Sequence, residues 1–425
     1  MAGIRKKNIS KKIGFISTRI AGTDGVSLEI AKWADVFERN GHQCFYFAGE
    51  IDRPRNKSML VEKAHFKHPA IEKINKACFG KYSRSRRISN SIHSLREYFK
   101  GKIYKFVRKF GIDVIVAENV LSIPSNIPFG LALTEFIAET GFPTIAHHHD
   151  FYWERKRFLI NGINDYLQWA FPSDLPSIKH VVINSLASEQ LSDRKGISNI
   201  VIPNVYDFAN PPVFSNDNKC AELRKIVGLH REELFILQPT RIIPRKQIER
   251  SIEIVSQIQG KNKTLVISHS VDDEGNAYCK KVKKYAKNLG VKLSLIKDVV
   301  GPERVSGRKG KKFSIGEVYR CADLVVYLSE YEGFGNAFLE AVYYKKPIVV
   351  NRYPVYVADI EPKGFEVIAV NGLKDKDVVR RINNILSDSK KRDKTAEKNY
   401  NTALKYFSYE TLEKSLNYLM TVIRN

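Results

Sequence analysis

The stretch DLVVYLSEYEGFGNAFLEAVYYKKPIVVN, residues 323–351, places a strand-like run, a glycine loop, a helical pattern and a second strand-like run in direct succession. Residues 323–328 and 347–351 are short and rich in Val, Ile and Tyr, which predicts two strands. A strand, a crossover helix and a following strand form a parallel unit of one sheet. This stretch therefore predicts a parallel sheet with its ligand loops at one edge.

The same alternation of strands and helices continues over most of the chain, in two blocks. In the first block, strand-like runs fall at 13–18, 43–48, 113–117, 143–147, 180–184 and 199–203. In the second block they fall at 234–239, 263–268, 291–296, 323–328, 347–351 and 365–370. The pattern predicts an α/β protein with two doubly wound, Rossmann-like domains that face a cleft, in which we expect the ligand.

The domain boundaries follow from composition. Residues 207–219, DFANPPVFSNDNK, are rich in Pro, Asn and Asp, as is typical of a linker. We expect an N-terminal domain over residues 1–206 and a second domain over 220–395. Residues 396–425 predict closing helices that pack back toward the first domain.

Composition indicates a globular protein of the cytoplasm. No apolar run approaches the ~20 residues of a membrane-spanning helix. The apolar segment after the basic start is too short for a secretory signal peptide. Five cysteines without a C-x-x-C pair predict reduced thiols rather than a disulfide framework or a zinc site.

The formal net charge of +24 is concentrated in one segment. Residues 53–110 carry seventeen Lys or Arg against three Glu. Such a block favours an anionic partner, which is either the inner surface of a membrane or an acidic small acceptor. A solvated basic face on packed helices is the alternative, because Phe99, Ile103, Phe106, Val107 and Phe110 recur at helical spacing.

Residues that follow two strands of the first block are candidates for the site. After 13–18, Gly22 and Gly25 permit a sharp turn whose N–H groups can face an anion or a sugar. After 143–147, His149 and Asp150 are expected at the acceptor side of the cleft. Successive strand residues point to opposite faces, so we expect the three histidines 147–149 not to share one metal ion.

Residues that follow two strands of the second block point to a diphosphate and to sugars. In RIIPRK, Arg241 and Lys246 can both reach one anion, with Arg245 as a substitute for either. In EGFGNAFLE, the backbone and a helix N-terminus are accessible to the donor at four residues, Gly333, Phe334, Gly335 and Asn336. Glu332 and Glu340 suit sugar hydroxyls, and they disfavour a nucleic-acid partner.

These motifs resemble the family-4 retaining glycosyltransferases of the GT-B type. EGFGNAFLEA resembles the family's E-x7-E signature, RIIPRK its R-x4-K diphosphate clamp, VIPNVYDF its domain junction, and GTDGVSLEIAKW and HHHD its N-terminal site segments. The chain departs from the family at Val205 and Gln247, where glycine is usual. The matches follow the family's order from about residue 13 to 386.

The resemblance implies a role for each matched residue. His149, Arg241, Lys246 and Glu332 would be catalytic, with Arg241 and Lys246 on the diphosphate and Glu332 on donor-sugar hydroxyls. Glu340 would contact the ribose. The implied activity is transfer of a hexosyl unit from a UDP- or GDP-linked sugar, with retention, to a glycan, a glycolipid or a small acidic glycoside.

Preorganised cations can stabilise the leaving diphosphate, so we expect no cofactor and no metal requirement. Asp375 and Asp377 of DKD open a predicted helix, and we interpret them as first-turn acids rather than metal ligands. A nucleotide-sugar epimerase, a sugar phosphorylase and a basic membrane-binding protein on a transferase scaffold are the alternative functions.

Overall fold

The computed structural model describes residues 10–211, 219–230, 232–260, 262–269, 276–301, 312–370 and 375–423. The chain forms two compact units, one of Met1–Asn204 with Tyr409–Asn425 and one of Val205–Ser408. Most of the predicted linker, residues 212–218, lies outside the described residues, as does the basic start at residues 1–9.

The first unit is built on a seven-stranded sheet. Its strands are β1 (Lys12–Ile16), β2 (Gln43–Ala48), β3 (Ser58–Leu60), β4 (Val114–Glu118), β5 (Thr144–His148), β6 (Ile178–Val182) and β7 (Asn199–Val201). Its helices up to β7 are α1 (Gly25–Arg39), α2 (Pro69–Cys78), α3 (Arg86–Phe110), α4 (Ile127–Thr140), α5 (Lys156–Leu159), α6 (Asn164–Ala170) and α7 (Ser185–Lys195).

All strands of this sheet are parallel, in the order β3-β2-β1-β4-β5-β6-β7. Helices cover both faces, so β4 and β5 are buried along their whole length. The strand order reverses between β1 and β4, and ligand sites of such sheets form beyond the carboxyl ends of the strands at this point. The sequence missed β3, whose three residues are too short for a periodic signal.

The basic segment 53–110 packs one face and pairs much of its charge. In α3, Phe99, Ile103, Phe106 and Phe110 are buried, as their spacing predicts. Acids outside the segment neutralise part of its cations, and the pairs are Arg84 with Asp165, Lys57 with Glu38, Arg96 with Glu135, and Lys100 with Glu135 and Glu139. The local positive field is therefore weaker than the formal charge indicates.

The second unit repeats the design with a six-stranded parallel sheet in the order β10-β9-β8-β13-β14-β15. The strands of that sheet are β8 (Leu234–Gln238), β9 (Lys263–Ile267), β10 (Lys292–Leu295), β13 (Leu324–Tyr327), β14 (Ile348–Asn351) and β15 (Ile368–Val370), while β11 (Val300–Gly301) and β12 (Phe313–Ser314) form a separate two-stranded sheet. Its helices are α8 (Lys219–Ile226), α9 (Ile248–Gln257), α10 (Asn276–Asn288), α11 (Ile315–Cys321), α12 (Asn336–Tyr343), α13 (Asp375–Ser387) and α14 (Ser389–Tyr406). Two doubly wound parallel sheets confirm the predicted fold class.

The predicted closing segment 396–425 is divided between the two units. Helix α14 belongs to the second unit, whereas the last helix, α15 (Tyr409–Val422), belongs to the first and packs on α1. Arg39 of α1 lies over the ring of Tyr409, 5.0 Å from its centroid. Among the described residues, no helix combines the length and the apolar character that crossing a membrane requires.

The prediction of five reduced thiols is wrong in this structure. Cys220 in α8 and Cys321 at the end of α11 form a disulfide, with their Cα atoms 5.2 Å apart, while Cys44, Cys78 and Cys279 are free and buried. The two bonded residues are 101 positions apart in sequence, and only the packing of α8 on α11 brings them together. Spacing in the sequence carries no signal for such a pair.

Candidate functional site

The two motifs of the second unit meet because β8 and β13 are neighbours in the sheet. The register pairs Leu324 with Ile236 and Val325 with Leu237. Both strands are parallel, so the loops that follow them leave from the same edge. The Glu330 N–H donates to the carbonyl of Arg245 at 2.9 Å, which joins the two loops through their backbones.

Lys246 and Glu332 form a buried ion pair at this edge. Arg245 donates from Nη1 to the same carboxylate at 3.1 Å and to the Tyr331 carbonyl at 2.9 Å. Burial lowers the pKa of Lys246 to about 8, even though Glu332 opposes the shift. Burial alone would raise the pKa of Glu332, but Lys246 and Arg245 outweigh it and the pKa is lowered, so Glu332 is a carboxylate.

Arg241 and Gln247 flank this pair. The Arg241 side chain is exposed, and its charge contributes to the lowered pKa of Lys246, so both cations act on the same small region. Gln247 has the left-handed backbone conformation, with φ 50° and ψ 49°. This conformation explains why glycine is usual there, and the Gln247 side chain donates to Glu330 at 2.7 Å.

The glycine loop is shaped by a close approach to Tyr353. Gly335 has φ +114°, and a Cβ atom there would lie 2.1 Å from the Tyr353 hydroxyl oxygen. That hydroxyl donates to the Phe334 carbonyl at 2.9 Å. The ring of Phe334 is buried against Phe407, so this predicted donor-binding residue serves packing through its side chain. Gly333 is exposed, and Asn336 begins α12.

Glu340 is held by two tyrosines that the sequence did not single out. The hydroxyl of Tyr206 donates to one carboxylate oxygen at 2.7 Å, and that of Tyr319 donates to the other at 2.7 Å. Tyr319 is fully buried, and burial together with Glu340 raises its pKa well above the usual value, so it remains a donor. The carboxylate of Glu340 is therefore fixed in direction before any ligand binds.

In the first unit, a glutamate that the sequence did not identify holds two of the three histidines. Glu118 ends β4, and the register pairs it with His147 of β5. One of its oxygens lies 3.0 Å from His147 Nδ1 and 2.9 Å from His149 Nε2. Trp33 stacks on His147 with ring centroids 4.2 Å apart. His148 points to the other face and contacts His180 at 2.9 Å.

Burial and mutual contacts shift the pKa values of Glu118, His147 and His149. Burial raises the pKa of Glu118, but His147 and His149 more than compensate and lower it to about 2. Burial lowers the pKa of His147, whereas for His149 the hydrogen bond to Glu118 overcomes burial and the pKa is raised. Glu118 is thus a fully buried carboxylate whose negative charge is stabilised by the His147 and His149 rings.

Asp150 and its neighbours fix the loop that contains His149. Asn119 accepts the His149 N–H at 2.8 Å and donates to Asp150 at 3.2 Å. Arg155 forms an ion pair with Asp150. The Asp150 carboxylate is therefore already paired with a cation, and a ligand would have to compete with Arg155 for this carboxylate.

In the glycine turn after β1, a backbone N–H already donates to a side chain of the protein. The Gly22 N–H donates to the Asp52 carboxylate at 2.7 Å, and Asp24 caps α1, which begins at Gly25. A donor at the Gly22 N–H would have to compete with the Asp52 carboxylate, and the Asp24 carboxylate accepts from the Ser27 N–H. Gly22 does adopt a positive φ of 75°, as a sharp turn requires.

Comparison with known proteins identifies a matching family model and related enzymes. Residues 220–402 match a family model described as Glycosyl transferases group 1. A mannosylglucosylglycerate synthase of Thermotoga maritima is 31% identical over 441 aligned positions, covering 96% of this chain and 99% of the relative. The enzyme of the same name from Petrotoga mobilis is 32% identical over 387 positions, covering 84% and 86%.

Solved structures share the architecture at low identity. A glycosyltransferase from Rickettsia africae matches with a TM-score of 0.69 at 15% identity, over 98% of this chain and 99% of that one. Anabaena Alr3699/HepE in complex with UDP-glucose matches with a TM-score of 0.63 at 14% identity, over 97% and 100%.

The fold and the motifs define a glycosyltransferase of the GT-B type. The chain belongs to family 4 of these enzymes, and it is a hexosyltransferase that uses a nucleotide-sugar donor. The resemblance drawn from its motifs is confirmed.

Proposed function

We propose that this enzyme transfers a mannosyl group from a nucleotide-linked mannose to the glucosyl part of glucosylglycerate, with retention at the anomeric carbon. The observation that carries the proposal is identity above 30% along most of the chain to two enzymes named mannosylglucosylglycerate synthase. Glucosylglycerate is a small anion, and the net charge of +24 favours an acidic acceptor.

The donor diphosphate binds the cations of the second unit. Arg241 offers a guanidinium fork to the phosphates, and Lys246 adds a second charge from a buried position. Glu340 accepts from the ribose hydroxyls, since Tyr206 and Tyr319 fix its carboxylate. Glu332 holds Lys246 before the donor arrives and accepts from the donor-sugar hydroxyls when the phosphates take over Lys246.

The reaction needs charge stabilisation at the leaving group. As the bond from the anomeric carbon to the diphosphate breaks, negative charge grows on the leaving oxygen, and Arg241 and Lys246 stabilise it without a metal ion. The departing phosphate accepts the proton of the attacking acceptor hydroxyl on the same face of the sugar. His149 lies on the acceptor side of this reaction, in the first unit, and the enzyme acts in the cytoplasm.

A donor and acceptor panel tests the proposal. UDP- and GDP-linked mannose and glucose are each incubated with glucosylglycerate, its methyl ester, glycerate or no acceptor, and nucleoside diphosphate release is measured. We expect release with a mannosyl donor and glucosylglycerate, a lower rate with the uncharged ester, and none with glycerate or without an acceptor. The one-bond carbon–hydrogen coupling at the new anomeric centre reports retention or inversion.

The same panel separates the alternatives. Interconversion of the donor sugar without an acceptor would identify an epimerase, and a requirement for inorganic phosphate in place of a nucleotide would identify a phosphorylase. Salt-sensitive flotation with anionic liposomes would support a membrane acceptor, whereas a small soluble acceptor predicts no flotation.

A further inference from the structure

Glu118, His147 and His149 bring three potential metal ligands together. One ligand atom of each residue lies within 4.8 Å of the other two, and among the described residues no other group of three His, Cys, Asp or Glu does so. His147 lies on β5, His149 follows the end of that strand, and Glu118 comes from the adjacent β4; both imidazoles contact the same Glu118 oxygen. His148 points to the other face of the sheet, so the cluster joins two of the three consecutive histidines to a glutamate that is distant in sequence.

The distances suit a common ion. With bonds of ~2.1 Å, ligand atoms lie ~3.0 Å apart at right angles and ~3.4 Å apart in a tetrahedron. The Glu118 oxygen is 3.0 Å from His147 Nδ1 and 2.9 Å from His149 Nε2. Small side-chain rotations would therefore let all three atoms bind one ion in place of the protons they now share.

The chemistry of the ligands selects the class of ion. Two imidazoles and one carboxylate suit first-row divalent metals, and zinc with three protein ligands keeps a fourth position open. Magnesium and calcium prefer oxygen ligands throughout, so they fit poorly. A divalent ion would also compensate the buried charge of Glu118.

The surroundings indicate moderate affinity. Within the described part of the chain, His147 Nε2 is buried without a hydrogen-bond partner. Metal-bound histidines usually donate this second N–H to an acceptor, and loss of such a partner costs about 10–100-fold in affinity. The His149 side chain is 9% exposed, whereas those of His147 and Glu118 are 1% and 0% exposed, so the cluster reaches solvent through His149.

We propose that Glu118, His147 and His149 form a binding site for a divalent first-row transition metal ion, with zinc the best fit. The ion takes the His149 nitrogen, so it inhibits transfer rather than supporting it. The inhibition, but not the binding, rests on the proposed role of His149 at the acceptor side.

Cobalt titration of the untagged, full-length protein tests the binding. We expect one equivalent of Co²⁺ with visible d–d absorption and no thiolate charge-transfer band, and displacement of the cobalt by Zn²⁺. Glu118→Gln and His147→Asn should each weaken binding at least tenfold, whereas the exposed His93→Gln should bind as the wild type does. A thiolate band, no saturable binding by the wild-type protein, or equal loss in His93→Gln would overturn the site.

A parallel activity assay tests the consequence. Zinc at a saturating concentration should lower transfer at least tenfold in the wild type and in His93→Gln, and removal of the zinc should restore it. Binding of one equivalent without inhibition would overturn the inhibitory role and leave the metal site intact. Because cobalt binding is measured without substrates, failure of the proposed transferase reaction would not alter the binding result.

Discussion

Lys246 and Glu332 form an ion pair between the loops after β8 and β13, and both side chains are almost completely buried. Arg245 donates to the same carboxylate, so Glu332 is shared by two cations before a donor binds. In the proposed reaction, the donor diphosphate would compete with Glu332 for Lys246. The pair helps to keep the buried Lys246 charged at neutral pH, as the proposed contact with phosphate oxygens requires.

Substitution of Lys246 by Ala should lower transfer about ten- to a hundredfold, because it removes one of the two proposed charge-assisted contacts to the diphosphate, each ~1.5–3 kcal/mol. It also leaves Glu332 with Arg245 alone, so the unfolding free energy should fall. Adding Glu332→Gln should recover stability but not donor binding. Lys345→Ala, which removes an exposed lysine paired with Glu397, is the control. Near-normal rates in an Arg241→Ala, Lys246→Ala double variant would refute the diphosphate clamp.

Donor binding should weaken as the pH rises above 8. The pKa of Lys246 is lowered to about 8, so its ammonium is charged below this pH and neutral above it, while Glu332 stays ionised. Each pH unit above the pKa should raise the donor KM about tenfold. In Lys246→Arg the inflection near pH 8 should vanish, because a guanidinium does not deprotonate there. An unchanged profile in that variant would assign the pH dependence to another group.

Tyr319→Phe should destabilise the second unit and weaken nucleotide binding. The substitution removes one of the two hydroxyl donors to Glu340 and leaves a carboxylate oxygen short of a partner, at a cost of ~1–3 kcal/mol. Tyr285→Phe, which removes a tyrosine–carboxylate contact to Glu253 on α9, is a matched control. Thermal unfolding and titration with nucleoside diphosphates give the two readouts, and equal nucleotide affinity in both variants would contradict a role of Tyr319 in fixing Glu340.

Gly335→Ala should be much more harmful than Gly364→Ala. Both glycines have positive φ, which costs a residue with a Cβ atom ~1–2 kcal/mol. Only at Gly335 would the Cβ atom meet Tyr353, so a further ~1–3 kcal/mol of overpacking is expected. Chemical denaturation of the two variants measures the difference. Similar losses in both would mean that Tyr353 moves aside without cost.

Transfer should persist in EDTA, since Arg241 and Lys246 can neutralise the leaving diphosphate without a metal ion. The assay compares rates in chelator with rates after addition of Mg²⁺ or Mn²⁺. Loss of turnover in EDTA and its rescue by Mn²⁺ would refute a metal-independent reaction.

The sequence determined the two-sheet fold and the order of the motifs, because strand and helix periodicities are local properties of the chain. It also predicted that the candidate residues Arg241, Lys246, Glu332 and Glu340 lie near one edge of a sheet, because residues after parallel strands gather there. The proposed mannosyl donor and glucosylglycerate acceptor rest on identity to two relatives, because motif spacing alone does not define them.

Tertiary structure decided which of these groups touch. Lys246 and Glu332 are 86 positions apart, and only the pairing of β8 with β13 makes them partners. Glu118 reaches His147 and His149 because β4 and β5 are adjacent, and Tyr206 reaches Glu340 across 134 positions. Asp52 accepts a hydrogen bond from the Gly22 N–H, for which the sequence indicated an anion or a sugar. Contacts between distant segments depend on strand order and helix packing, which no local pattern encodes.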